Sequence, residues 1–336
     1  MLKKSVEDIM RRQTGDGWFP APFFLLALSK VYDRLVTARR AGYRQGRLAS
    51  RRLPCMVVSI GNITVGGSGK TPLVARLCRI LQHAGFKPGV ISRGYGRKDR
   101  DLRLVSPASD PGKVGDEPLL IARQTGVPVI VAPNRREAAE KLVRMGRNIV
   151  ISDDGLQHYR LPRDLEICVV DGQRKFGNGK LLPAGPLREP LGRLRTVDYV
   201  VVNGEDAVVP EVDDATTMSL HGNILSSLRD GQNWRLSQFA GCSVNAVAGI
   251  GNPERFFKLL EHSRIRVNRY PFPDHHDFTA ADFEPMDSNL PVLMTEKDAV
   301  KCKALDLKNA WSLAVEAVLP RAWESAFVQR IREETA

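Results

Sequence analysis

The chain has 336 residues, 43% hydrophobic and 26% charged, an ordinary globular composition without repeats or low-complexity tracts, long enough for two domains or one elaborated one. Its 50 Lys and Arg against 38 Asp and Glu give a formal charge of +12, which favours anionic partners such as nucleotides, nucleic acid or an acidic membrane. The five cysteines, Cys55, Cys78, Cys168, Cys242 and Cys302, lie far apart with no pair at metal-ligand spacing, which argues against a disulfide framework or a thiolate metal site and suggests a reduced, cytoplasmic chain.

The charge is concentrated at the start. Residues 1–52 carry twelve basic and four acidic side chains, +8 of the total +12. Within them lies "GWFPAPFFLLALSKVYDRL", whose apolar run at 23–28 is far shorter than the roughly 20 residues that span a bilayer. No small-residue cleavage site follows a long apolar core, so a secretory signal is not expected. Two readings remain. In one, an aromatic-rich helix lies in a membrane interface, with Trp18, Phe19, Phe23, Phe24 and Leu28 inserted and Arg34, Arg39, Arg40, Arg44 and Arg47 on lipid phosphates. In the other, the same helix packs on its own domain with a solvated basic face.

Next, "CMVVSI" reads as a buried strand, followed by a glycine-rich turn and a helix through about Leu81. The rhythm recurs with the strand "PGVIS", a helix around "EPLLIARQTG", the strand "VPVIVAP", the helix "NRREAAEKLVRMG" and the strands "NIVIS", "LEICVV" and "VDYVVVN". Continuous apolar strands separated by helices predict a parallel sheet covered on both faces. The pattern restarts at about Gly241 with "CSVNAVAGIGNPERFFKLLEHS", then "PVLMT" and "AWSLAVEAVL", which predicts a second, smaller α/β domain. The expected division is a basic arm at 1–52, a nucleotide-binding core at 53–225, a polar connection at 226–240 and the smaller domain at 241–336.

The stretch "VVSIGNITVGGSGKT" has the form of a phosphate-binding loop between strand and helix, except that Thr64 stands where the first glycine is usual. A side chain there is tolerable if the backbone keeps φ negative. Residues Thr64, Val65, Gly66, Gly67, Ser68, Gly69, Lys70 and Thr71 are the candidate nucleotide-binding set, with Lys70 on the phosphates and Thr71 on Mg²⁺. ATP or GTP binding is expected. "NIVISDDGLQH" ends a strand in Asp153 and Asp154, placed either to meet the nucleotide's metal or to form a turn and cap. Asp116 and Glu117 in "KVGDEPLL" precede a helix, where an N-terminal cap is the plainer reading. "YPFPDHHDF" clusters Asp274, His275, His276 and Asp277, fit for metal binding or for supporting an acid/base group.

Together "SIGNITVGGSGKTP", "SRGYGR", "VGDEP", "SDDGLQH", "GNGKLLPAGPLREP", "AGIGNPERFF", "FPDHHDF" and "MTEKDAVK", in this order, resemble the tetraacyldisaccharide 4'-kinases of lipid A assembly in Gram-negative bacteria, from about Trp18 to the C-terminal region. The resemblance implies a kinase of P-loop NTPase-like α/β fold with an N-terminal membrane-associating helix. Such a kinase moves the ATP γ-phosphoryl group, with Mg²⁺, to the 4'-hydroxyl of a tetraacylated glucosamine disaccharide 1-phosphate. It further implies a peripheral enzyme on the cytoplasmic face of the inner membrane, with Asp116 as base, His275 as its support, Lys70 on phosphate, and Thr71, Glu117, Asp153 and Asp154 at the metal. Within that family Ser or Thr at position 64 is usual. Tyr95, Arg188 and Glu189 fit substrate or nucleotide contacts without individual roles. A monomer is expected, and no nucleic-acid partner, because the excess charge lies beside an apolar helix rather than along a broad face. The rival reading is a membrane-associated P-loop regulatory ATPase, against which stands Val65 in place of the early second lysine of such loops.

Overall fold

The computed structural model describes residues 22–204 and 208–335. It begins with helix α1 (Phe23–Arg44), which packs by one edge: Leu25 and Ser29 are buried, Ser29 Oγ donates to Leu181 O (2.9 Å) and Tyr32 OH donates to Arg188 O (3.1 Å). The outer side carries Phe23, Phe24, Leu28, Val31 and Leu35, each more than half exposed. Positions 24, 28, 31 and 35 recur at the three-to-four spacing of a single helical stripe. The two readings of the arm are therefore compatible, since one edge docks on the domain while the opposite stripe stays apolar and open. Arg40 departs from the expected lipid-facing set, because its guanidinium reaches Thr196 Oγ1 at 2.6 Å. Trp18 and Phe19 lie outside the described residues. Among the described residues, no helix is long and apolar enough to cross a membrane.

The first lobe runs β1 (Met56–Gly61), α2 (Lys70–His83), β2 (Pro88–Ser92), β3 (Arg103–Val105), one turn α3 (Pro111–Val114), α4 (Asp116–Thr125), β4 (Val129–Val131), α5 (Arg135–Arg144), β5 (Ile149–Asp153), β6 (Leu165–Asp171) and β7 (Tyr199–Asn203). The strands lie in the order β7-β6-β1-β5-β2-β4-β3, all parallel except β3. Val57, Val58, Ile60, Ile149, Val150 and Ile151 are buried whichever face they point to, which is why these strands are continuous apolar runs and not alternating ones. On α2 the buried residues Leu73, Val74, Leu77, Cys78 and Leu81 repeat at helical spacing and cover the sheet. Central β1 pairs with β5 so that Ile60 lies level with Asp153, which puts the start of the glycine-rich loop beside the aspartate pair.

The second lobe is not a separate sheet. It comprises β8 (Ala215–Ser227), β9 (Asn233–Arg235), β10 (Ser243–Ala248), α6 (Pro253–His262), β11 (Arg266–Pro271), β12 (Val292–Thr295), α7 (Glu296–Cys302), β13 (Ala310–Val318) and α8 (Arg321–Thr335). Strand β8 begins parallel to β7 and continues antiparallel to β13, so one sheet runs through both lobes in the order β7-β8-β13-β12-β10-β11. The stretch 226–240, expected as a polar connection, contains the end of β8, all of β9 and a 3₁₀ turn whose Leu236 and Phe239 are buried. The second lobe has its own core around Val244, Phe256, Phe257, Leu260 and Leu293. Its final helix nevertheless crosses back: Phe327 and Ile331 of α8 are fully buried in the first lobe's core with Leu73 and Leu77. Arg76 on α2 pairs with both carboxylate oxygens of Glu324 (2.7 and 2.9 Å). A boundary at 241 therefore does not separate two self-contained cores.

Because Phe327 closes the first lobe's core from the far end of the chain, Phe327→Ala is expected to cost about 3–5 kcal/mol of stability. Urea unfolding followed by circular dichroism and by tryptophan fluorescence should show one coincident transition moved to lower urea. A shift confined to one probe would show that the lobes unfold independently.

Candidate active site

The glycine-rich loop is shaped from both sides. Thr64 forms an isolated antiparallel bridge with Leu187, Val65 N donates to Pro186 O (2.9 Å), and Arg188 N donates to Ile63 O (2.7 Å). Thr64 thus sits in a β-bridge and is not among the positive-φ positions, so a residue with a Cβ is unstrained there. The left-handed conformation is needed later, at Gly69, which caps α2 with φ 90°. A Cβ there would stand 2.2 Å from Asn203 Nδ2, whose amide donates to Ser68 O (3.0 Å). The N-terminus of α2 is left pointing its free N–H groups into the loop, the arrangement that receives a phosphate.

Across the loop, the two lobes meet backbone to backbone. A Cβ on Gly251, in the turn before α6, would lie 2.6 Å from Gly67 N, so only glycine fits there. Arg174 joins the two sides by donating to Gly67 O and to Gly251 O (3.2 Å), and it is held by Asp171. Beside this junction runs a cleft lined by residues 67–72 and walled by Leu120, Leu220, Ile250, Phe256, Leu313 and Val315. Thr71, Glu117 and Lys297 line the same cleft.

The carboxylates adjoin residues that line it: Asp154 pairs with Lys70, and Asp116 precedes Glu117. Asp153, at the tip of β5, is almost wholly buried; its Oδ2 accepts from Ser92 Oγ (3.0 Å), while its Oδ1 has no hydrogen-bond partner among the described residues, and the buried Ser68 Oγ has none either. Asp154 adopts a positive φ of 48° and pairs with Arg188 Nη1 (3.0 Å) and Lys70 Nζ (3.4 Å). Asp116 opens α4 and is buried; its Oδ1 accepts from Glu117 N (3.0 Å), and its Oδ2 accepts from His275 Nδ1 (3.1 Å). The cap expected of Asp116 does not form: Gly115 holds the cap position and Asp116, the first residue of α4, makes no side-chain cap. His275 itself sits at φ 61°, a conformation uncommon for a residue with a Cβ, and the turn aims its ring into the first lobe. The Tyr95 ring packs on it at 4.9 Å.

Two expectations change here. The Asp274–Asp277 cluster is not a metal centre: His276 turns away, pairing with Asp282 (3.2 Å) between Phe272 and Phe278. Nor do Thr71, Glu117, Asp153 and Asp154 form a ready cage, because no group of three or more His, Cys, Asp or Glu among the described residues is placed to hold a metal. The reason is visible in the pairing, since Glu117 is taken by Lys297, and Asp154 by Lys70 and Arg188. The donor set still suits Mg²⁺, which accepts hard oxygens and keeps several waters and phosphate oxygens rather than demanding an all-protein cage. The unpartnered Oδ1 of Asp153 and the Ser68 hydroxyl are two of the orphaned buried polar atoms among the described residues, and a phosphate-bound cation with its waters would satisfy them.

Burial and charge set the protonation states. Burial raises the Asp153 carboxyl, and the neighbouring Glu117 and Asp154 charges add to it, bringing it to about 7. Burial also opposes ionisation of Asp116, but the His275 hydrogen bond and the Lys297 charge outweigh it and hold the carboxyl down at about 2. For Asp154 the same burial is overcome by Lys70, Arg188 and Arg135, which hold it well below the usual carboxylate range. His275 is disfavoured as a cation by burial, yet its bond to Asp116 prevails over that and over the repulsion from Lys297, so its pKa rises.

A profile of the family described as tetraacyldisaccharide-1-P 4'-kinase matches residues 21–332. The chain belongs to the tetraacyldisaccharide-1-P 4'-kinase family. Relatives named tetraacyldisaccharide 4'-kinase include one from Alkalilimnicola ehrlichii, 49% identical over 87% of each chain, and one from Xanthomonas campestris pv. campestris, 48% identical over 95% of each. Among solved structures, the "apo" form of LpxK from Aquifex aeolicus in complex with ATP superposes with a TM-score of 0.75 at 29% identity, covering 91% of this chain and 98% of that one. Of the residues that the sequence singles out, the structure brings Lys70 beside Asp154 and Asp116 onto His275. Lys297 is not singled out by the sequence, because a lysine in a helix's first turn reads as an ordinary solvated charge, although it lies within "MTEKDAVK", one of the segments that carry the family resemblance.

The opposite shifts of Asp116 and His275 define a pH window in the nucleotide-free protein. The stabilisation from Asp116 is present above the ordinary value of 3.8 and is lost as pH falls through about 2. That from His275 is full below 6.5 and is lost as pH rises through its elevated folded value. Denaturation across pH should therefore show this pair's contribution greatest between 3.8 and 6.5, and the contribution should vanish in His275→Ala. An unchanged pH profile in that variant would show that the bond carries no stability.

Proposed function

We propose that the chain transfers the γ-phosphoryl group of ATP to the 4'-hydroxyl of a tetraacylated glucosamine disaccharide 1-phosphate, the lipid A disaccharide acceptor. The observation that supports this reading is the Asp116–His275 hydrogen bond, formed between lobes next to Glu117 and Lys297, which line the same cleft as P-loop residues 67–72. Loop amides and Lys70 hold the phosphates. Asp153, Glu117 and Thr71 would hold Mg²⁺, with Asp154 orienting Lys70 beside them; when bound, the cation supplies neutralisation of the charge on the transferring group. Asp116 then accepts the hydroxyl proton. A carboxylate with a pKa near 2 is a weak base, but phosphoryl transfer runs through a loose transition state in which the alcohol proton leaves late, when it is already acidic. His275 holds that carboxylate toward the acceptor and disperses charge as the proton arrives.

Radiolabelled ATP and the disaccharide 1-phosphate, resolved by thin-layer chromatography, test this directly. Lys70→Ala and Thr71→Ala should nearly abolish the labelled lipid product. Asp116→Ala and His275→Ala should each lower kcat by about 10²–10⁴, and the double variant should lose much less than the product of the two. Near-parental turnover in the loop variants, or full multiplicativity of the dyad variants, would overturn the assignment.

We further infer that the enzyme works as a peripheral protein on the cytoplasmic face of the inner membrane, held by α1. The support is the open stripe of Phe24, Leu28, Val31 and Leu35 on a helix whose other edge is docked, within an arm of net +8. Inserted apolar groups hold regardless of salt, whereas each basic residue near an anionic surface adds about 1 kcal/mol that salt screens. In sedimentation with anionic vesicles, Phe24→Ser with Leu28→Ser should release the protein even at low salt. Arg39→Gln, Arg44→Gln and Arg47→Gln together should make binding more salt-sensitive. If both variants sediment like the parent, the helix is a packing element only.

A further inference from the structure

The segment "MTEKDAVK" plays no part in the proposed reaction, yet the first of its two lysines stands at the centre of the lobe junction. Lys297 lies in the first turn of α7, in the second lobe. Its ammonium is 3.0 Å from Glu117 Oε1 of the first lobe, 3.1 Å from Asp274 Oδ1, 3.4 Å from His275 Nε2 and 3.9 Å from Asp116 Oδ2. Only 15% of the side chain is exposed, so water and salt screen these contacts weakly. The helix that carries it is fixed from behind. Asp298 is fully buried; its Oδ2 accepts from Gly249 N (2.9 Å) and Thr295 Oγ1 (2.6 Å), and Lys301 Nζ lies 3.2 Å from its Oδ1. The ammonium is therefore set in place by a rigid frame that also anchors the strand end leading to Gly251.

An ammonium has three donors, and here three acceptors face it: Glu117, Asp274 and His275 Nε2. The third has a chemical consequence. A neutral imidazole that accepts at Nε2 must carry its proton on Nδ1, the nitrogen facing Asp116 at 3.1 Å. Without the cation, three carboxylates, Asp116, Glu117 and Asp274, would repel one another across the junction, and Asp274, 3.8 Å from His275 Nε2, would compete with Asp116 for the imidazole proton. We propose that Lys297 is a positioning residue of the phosphoryl transfer, fixing His275 with its Nδ1–H toward Asp116 and holding the two halves of the site together.

The proposal rests on the reading of Asp116 and His275 as base and support, and the experiment separates the two. Lys297→Met removes the charge at similar length, and Lys297→Cys alkylated with 2-bromoethylamine restores an ammonium, with a thioether replacing one methylene. Turnover of Lys297→Met should fall about 10–10²-fold with the KM for ATP changed less than about threefold, and the loss should be much less than multiplicative with His275→Ala. Alkylation of Lys297→Cys should recover most of kcat while leaving the parent unaffected. In nucleotide-free protein, above the titration of His275, its ring ¹⁵N shifts should report the Nδ1–H tautomer in the parent and a mixture in Lys297→Met. Should Lys297→Met fail to fold, Lys297→Gln is read by the same shifts and the same KM-against-kcat split. Parental kcat in Lys297→Met beside an impaired His275→Ala would overturn the proposal alone. A raised KM for ATP with kcat intact would make Lys297 a nucleotide ligand and also overturn it. Parental kcat in His275→Ala would overturn the base-and-support reading itself.

Discussion

Strand β8 carries the constraint on which everything else depends. Its first residues pair with β7 and its last with β13, so the two lobes share one hydrogen-bonded sheet rather than a flexible hinge. A contact such as Asp116 to His275, between residues 159 apart in sequence, requires the two lobes to be fixed to within the length of a hydrogen bond. Backbone pairing provides that fixity because it leaves few soft dihedrals between the lobes. The Gly67–Gly251 approach and the bridging Arg174 then close the near side of the cleft on the same geometry.

Electrostatically the site is a case of imposed neutrality. Five acidic side chains, Asp116, Glu117, Asp153, Asp154 and Asp274, converge where a triphosphate would bring still more negative charge. Lys70, Arg188 and Lys297 divide four of these acids between them. Asp153, among the described residues, is the one left without a cation at hydrogen-bond range, and burial, with repulsion from Glu117 and Asp154, raises its pKa. Each cation comes from a different segment: Lys70 from the loop helix, Arg188 from the stretch that braces Thr64, Lys297 from the second lobe. Charge balance thus couples three parts of the chain that share no local sequence signal.

How much of this the sequence disclosed depends on the element. The parallel core was legible because strands such as "NIVIS" are buried on both faces and end abruptly in turn residues. Strand β8 was not, since "ATTMSLHGNILSS" changes partner and hand of pairing midway and its buried residues follow no single period. The polar edge strands β9 and β11 gave no apolar run to read. In the site, Lys70, Thr71 and Asp153 followed from the loop and strand-end pattern, whereas pairing Asp116 with His275 needed the family resemblance, because no periodicity relates residues in different lobes. Val31 and Leu35 went unnoticed beside the denser aromatic run upstream, although they extend the exposed stripe of α1 by two turns.

The return of α8 into the first lobe has a consequence for how the molecule is made. Phe327 and Ile331 are needed to complete packing around Leu73 and Leu77, residues synthesised some 250 positions earlier. At about 5–20 residues per second, the nucleotide-binding lobe spends about 6 to 25 seconds with its core open after its own strands have been made. Folding from the N-terminus can lay down the parallel strands, but it cannot seal them. The newborn chain therefore exposes the apolar side of α2 until its last helix arrives, and a chain ended early, even one that keeps every residue of the active site, leaves that surface uncovered.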